Sequence, residues 1–140
     1  MMSHYRAQAT AIGGRTGSAA SADGALRVLL DTPRELGGEG GKGTNPEQLL
    51  AAAYAASFLE TLRTVALGRR LQLAPDANVT ATIGIADRDE AGRMTLAIRL
   101  DVDLPGMDEV AASTLTEEAH SVCAYSNAMS GNVEIRIDVQ

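Results

Sequence analysis

One cysteine, Cys123, two histidines, His4 and His120, and a serine inside an alanine-rich stretch, Ser57, are the side chains with which this sequence could attack a substrate or hold a metal. His120 precedes Cys123 by three residues, so the two could share a helical face. One His and one Cys make half of a zinc site, however, and His4 is the only histidine left to add. Taken alone, Cys123 reads as a small buried hydrophobe, because free cysteines are among the most buried residues. Ser57 with His120 and an acid has the composition of a hydrolase triad, yet no Gly-x-Ser-x-Gly elbow surrounds it, and a serine within a helix is usually inert. Glu47 falls in a helix's first turn, where a carboxylate contributes about 0.3–1 kcal/mol against the helix dipole with no further role. Arg15, between Gly13-Gly14 and Gly17, reads most simply as a solvated turn residue. The run Gly37-Gly38-Glu39-Gly40-Gly41-Lys42-Gly43-Thr44 has the composition of a phosphate loop but not its spacing, since Gly43 separates Lys42 from Thr44. It reads as a flexible glycine loop leading into a helix.

The elements that must position these groups belong to a chain of 140 residues, the size of one domain spanning 1–140. With no Trp and one Phe, its core has to be built from Ala, Leu, Val and Ile. A net charge of −6 and the lack of any Lys/Arg cluster exclude the phosphate attraction on which nucleic-acid binding rests. No stretch approaches the ~18 apolar residues of a membrane helix, and no apolar run follows the N-terminal charge, so a cytoplasmic protein without membrane contact is expected. One cysteine precludes an intrachain disulfide and fits a reducing compartment.

Alternation of apolar and polar residues predicts strands through Val79, Ala81, Ile83 and Ile85, through Leu96, Ile98, Leu100, Val102 and Leu104, and through Val133, Ile135, Ile137 and Val139. Weaker strands are expected over Arg6–Ile12 and Ala25–Asp31, with a short extra strand between the turn signals Gly13-Gly14 and Asp23-Gly24. That is about six strands, with one-sided alternation pointing to antiparallel sheet. Asn45 as N-cap, Pro46 at the first helical position and Glu47-Gln48 in the first turn predict a buried central helix running to about Leu67, where Gly68 stops it. Its alanines make it narrow enough for close backbone approach. A second helix is expected from Asp108 to His120 or beyond, with Ala111, Leu115, Ala119 and Val122 on one face and Cys123 at its end. The class is α+β.

Four separated segments carry a resemblance: Gly13-Gly14-Arg15-Thr16-Gly17, Thr32-Pro33-Arg34-Glu35-Leu36-Gly37-Gly38, Gly43-Thr44-Asn45-Pro46-Glu47-Gln48-Leu49, and Ala119-His120-Ser121-Val122-Cys123-Ala124-Tyr125-Ser126-Asn127. In this order and spacing they resemble the organic hydroperoxide resistance family of the OsmC superfamily of thiol peroxidases. The resemblance implies an OsmC-like domain in an intertwined homodimer, the sheets packed around the central helix. It also implies that Arg15 and Glu47 bind and activate a peroxidatic thiol, with Glu47 orienting the guanidinium through a bidentate pair, that Cys123 is the resolving cysteine, and that no cofactor is bound. The substrates would be organic hydroperoxides, and an external dithiol, such as the lipoyl group of a partner protein, would be the reductant. Ten residues after Glu47 the family pattern has the peroxidatic cysteine, and this chain has Ser57. Ala124, where the family often has Pro, and Met129, where a small polar residue is commoner, are lesser departures.

A thiol peroxidase needs a sulfur that can pass through sulfenic acid to disulfide, which a serine hydroxyl cannot do. The chain is therefore expected to be inactive. Two origins are compatible with that, an engineered Cys-to-Ser change or a natural paralogue that lost the thiol; the joint retention of Arg15, Glu47 and Cys123 favours the first. A non-catalytic protein binding a small apolar ligand is the alternative function. One geometric constraint also follows, because a straight helix would place Glu47 and Ser57 roughly 15 Å apart along its axis. Either the helix bends and long side chains converge, or a second subunit completes each site.

Overall fold

In a computed structural model, which describes Met2–Gln140, the chain forms two compact units, one ending at Leu49 and the other comprising Leu50–Gln140. The N-terminal unit holds three strands, β1 (Ala9–Ile12), β2 (Ser18–Ser21) and β3 (Arg27–Leu29), in one antiparallel sheet of order β1-β2-β3. The extra strand expected between the two glycine turns is β2, paired in register Ala9↔Ser21 and Ser18↔Leu29 with its neighbours. β1 and β3 are shorter than their apolar patterns suggest, and Ile12 and Leu29 on them are 72% and 74% exposed.

After β3 the chain bridges Leu30 to Thr44 and closes the glycine run over Asp31, whose carboxylate accepts the Gly43 N–H at 2.5 Å. A Cβ added at Gly41 or Gly43 would lie 2.6 Å from that carboxylate. The Gly43 N–H, which a phosphate loop would turn toward its ligand, is thus taken by the Asp31 carboxylate.

The long helix α1 spans Pro46–Gly68. Its start is the expected one, with Asn45 Oδ1 accepting the Gln48 N–H at 2.9 Å. Its end falls within a residue of the expected place, but the device that stops it differs. Gly68 stays helical, and the left-handed residue that stops the helix is Arg70, φ 59°. The Leu71 N–H reaches the Ala66 carbonyl and the Arg70 N–H the Leu67 carbonyl, at 2.8 and 3.0 Å, the paired bonds of a Schellman cap. Burial within α1 follows one stripe, Tyr54, Phe58, Leu62 and Ala66, while Ala52 and Ala56 face outward.

In the C-terminal unit, β4 (Asn78–Asp87) and β5 (Met94–Asp103) form an antiparallel hairpin, and β6 (Ile135–Val139) pairs with β5 in parallel, Ile98↔Ile135 to Val102↔Val139. The antiparallel expectation thus holds for every pair except this one. A strand reached through a helical crossover returns in the direction of the strand it left. The crossover contains α2 (Glu109–Val122) and a further short helix, α3 (Ala124–Met129), which the periodicity did not signal.

Asp108 caps α2 as expected, accepting the Ala111 N–H at 2.9 Å. The buried face of α2 is Ala112, Leu115, Thr116 and Ala119. Ala111 is only half-buried and Val122 is 58% exposed, because the helix turns its inner face about one residue away from the predicted stripe. These α2 residues join the α1 stripe and Ile98, Leu100, Val102 and Leu104 in one apolar core. The predicted inward positions of β4 and β6 pack against it, among them Val79, Ile83, Ile135 and Ile137. Among the described residues, no helix is long and apolar enough to cross a membrane.

Candidate active site

Arg15 sits on a single 3-10 turn, Gly14–Thr16, that joins β1 to β2. The turn is shaped by its glycines: Gly13 has φ 79°, and a Cβ on Gly17 would fall 1.7 Å from the Ile12 carbonyl oxygen, so only glycine fits there. The tight turn aims the long Arg15 side chain at the start of α1, where Glu47 occupies the first helical turn. The two meet in a fork. Arg15 Nη1 donates to Glu47 Oε2 at 2.9 Å and Nη2 donates to Oε1 at 2.6 Å.

Both groups are therefore more than the solvated turn residue and the helix-dipole acid of the simplest reading. Hydrogen bonding to Arg15 holds the Glu47 carboxyl below the usual carboxylate range, and the same bond pushes the Arg15 guanidinium up. Arg15 is 36% and Glu47 17% exposed in their side chains. A guanidinium has five N–H groups, and the fork uses two, so a fixed cation with donors to spare faces partly into solvent. Such a group can hold an anion or orient a polar oxygen substrate.

Ser57 and Cys123 lie in the C-terminal unit. Ser57 is half-buried on α1, one residue before the fully buried Phe58, and its carbonyl accepts the Thr61 hydroxyl at 2.9 Å. Cys123 is the corner residue between α2 and α3 and is 1% exposed. Its N–H donates to the Ala119 carbonyl and its own carbonyl accepts the Asn127 N–H, each at 2.9 Å. Tyr54 stands near it: the ring is buried, lies 5.6 Å from that of Tyr125, and its hydroxyl is 2.6 Å from Ser126 Oγ.

Burial pushes the Tyr54 phenol up, an effect that the Ser126 bond opposes. Neither Tyr54 nor Ser126 has an assigned role in the sequence pattern, although Ser126 lies within the fourth of the segments that carry the resemblance. The signal was present, since Tyr54 falls on the helical stripe of Phe58 and Leu62, and a tyrosine on a core-facing stripe must find a partner for its hydroxyl. His120 is half-buried, and its Nδ1 has no hydrogen-bond partner among the described residues. Among the described residues, no group of three or more His, Cys, Asp and Glu side chains gathers as a metal site requires.

The family model for OsmC-like proteins matches residues 38–138, which include Glu47, Ser57 and Cys123. The chain belongs to the OsmC-like family. An organic hydroperoxide resistance protein of Xanthomonas axonopodis pv. citri is 46% identical over 133 residues, covering 95% of this chain and 92% of that one. Among solved structures, an organic hydroperoxide resistance protein of Legionella pneumophila superposes with a TM-score of 0.92 at 40% identity, covering 99% of each chain. The protein OhrB of Bacillus subtilis, also an organic hydroperoxide resistance protein, does so with a TM-score of 0.89 at 32% identity, over 99% of this chain and 100% of that one. The α+β arrangement of two three-stranded sheets and three helices is thus the OsmC-like fold, and the expectation drawn from the four sequence segments holds at the level of family and fold.

Proposed function

We propose that this chain is built as a thiol peroxidase for organic hydroperoxides, with Ser57 at the place of the attacking thiol and Cys123 as the thiol that resolves the oxidised intermediate. The observation that carries this reading is the Arg15–Glu47 fork. An ordinary cysteine has a pKa of ~8.5, so a thiolate needed at neutral pH calls for a fixed cation beside it. Glu47 keeps such a cation in one orientation. Kinship to proteins named for organic hydroperoxide resistance supports the same reading.

In the cycle, a thiolate at position 57 attacks the outer oxygen of R–O–O–H and the O–O bond breaks. The departing alkoxide takes a proton and leaves as the alcohol, and the sulfur becomes a sulfenic acid. The Cys123 thiol then attacks that sulfur, forming the disulfide and releasing water. A dithiol, such as the lipoyl group of a partner protein, restores both thiols by exchange and is itself oxidised. The serine hydroxyl neither ionises at neutral pH nor takes up oxygen, so the chain as it stands is expected to consume no hydroperoxide.

The working unit in this reading is a homodimer. The apolar side chains Ile12 and Leu29, exposed on the N-terminal sheet, and the outward small residues Ala52 and Ala56 of α1 suit contact with a second copy. The test of the chemistry is Ser57→Cys. The variant should consume an alkyl hydroperoxide when supplied with a dithiol, and the parent should not. A folded Ser57→Cys variant without dithiol-dependent turnover would refute the peroxidase reading, and an apolar ligand co-purifying with it would favour a binding protein instead.

A further inference from the structure

The Tyr54–Ser126 hydroxyl pair has no part in the cycle above, yet its placement bears on the step that joins two sulfurs. Tyr54 precedes position 57 by three residues on α1, and Ser126 follows Cys123 by three residues in α3. Their hydroxyl oxygens are 2.6 Å apart and both residues are 0% exposed. The two partners are 72 residues apart in the chain, so nothing local holds them together. Next to the bond, the rings of Tyr54 and Tyr125 lie 5.6 Å apart, and the backbone of Cys123 is tied on one side to Ala119 and on the other to Asn127. A buried hydroxyl cannot exchange its partner for water, so breaking this bond leaves two unpaired groups in an apolar core.

We infer that Tyr54, through its hydrogen bond to Ser126, is a positioning residue that fixes the helix turn bearing position 57 against the corner bearing Cys123 and so favours disulfide closure between them. This role presupposes the two-cysteine cycle proposed above. Tyr54 exchanges neither proton nor electron in it and acts through Ser126. The bond restrains the pair, and a restraint acts on effective concentration, which falls when the joined segments gain freedom.

The experiment uses the Ser57→Cys chain, equilibrated with mixtures of reduced and oxidised glutathione. The fraction closed between the introduced thiol and Cys123 gives the effective concentration of the two sulfurs. Tyr54→Phe and Ser126→Ala are added singly and together, and the rate of first oxidation by an alkyl hydroperoxide is followed in parallel. Each single change should lower the effective concentration by about fivefold to tenfold. The two together should lower it little further, because they remove one shared bond. The first-oxidation rate should change by less than about twofold, a separation that general loosening of the core would not produce.

Unchanged or increased closure in both single variants would overturn the positioning role while leaving the cycle standing. Independent, additive losses would also overturn it, because the two hydroxyls would then not act through one bond. Failure of Ser57→Cys itself to close any disulfide with Cys123 would overturn the cycle, and Tyr54's role with it. If Tyr54→Phe does not fold, Ser126→Ala breaks the same bond from the smaller side and decides the matter alone.

Discussion

Replacing Glu47 by Gln tests whether the Arg15 fork is a working ion pair. Glutamine keeps the length of the side chain and one acceptor oxygen, but its amide nitrogen turns a donor toward a guanidinium that can only donate. Of the two bonds at 2.9 and 2.6 Å, one is lost with the charge. A hydrogen bond to a charged group is worth about 1.5–3 kcal/mol, and the 36% exposure of Arg15 puts this one at or below the low end. Losing a carboxylate from the first turn of α1 adds about 0.3–1 kcal/mol. The sum is about 1–2 kcal/mol at pH 7, or about 3–6 °C in melting temperature for a chain of this size.

The pH dependence separates this account from a packing defect. Because Arg15 holds the folded Glu47 carboxyl below its unfolded range, the stability from the pair is fully present above about pH 4.3 and drains away as pH falls through the lowered folded value. Glu47→Gln has no such group to titrate. Parallel thermal melts from pH 7 down to about pH 3 should therefore show the gap between parent and variant closing in acid. A gap that is absent at pH 7, or that stays constant down to pH 3, would refute the fork as an electrostatic element.

Two further outcomes follow from the fold. Arg70→Gly should raise stability by about 0.5–1 kcal/mol in a denaturant titration, because Arg70 holds the left-handed cap at φ 59° with a Cβ that disfavours it; no gain would mean that the Arg70 side chain makes an offsetting contact. Sedimentation at micromolar concentration should give a dimer, and a stable monomer would remove the second copy from the proposed working unit.

Much of the fold was legible because it depends on periods and punctuation. The two-residue alternation of Leu96 to Leu104 and the Asn45-Pro46 helix start are local features, and local sterics and hydrogen bonding carry them into the structure. Three features depart from the local pattern where packing competes with it. Helix α1 ended where expected, but the left-handed Arg70 with its Schellman bonds stops it rather than Gly68. Val122 looked buried, but α2 turns Ala112 inward and ends at the Cys123 corner. Strand β6 was expected to be antiparallel, and the helical crossover returned it parallel to β5.

For the site, the sequence by itself determined which chemical groups are available: one thiol, a serine ten residues after Glu47, and an arginine among glycines. Residue identity sets pKa range and redox capacity, and no fold can give serine the chemistry of sulfur. What only the tertiary structure decided is how these groups are held. The Arg15–Glu47 pair, expected from the resemblance alone, takes its two-bond geometry across 32 residues from the fold, and Tyr54 meets Ser126 across 72 with no forewarning. Pairings of that span leave no periodic trace, because they are fixed by the packing of whole elements rather than by neighbours along the chain.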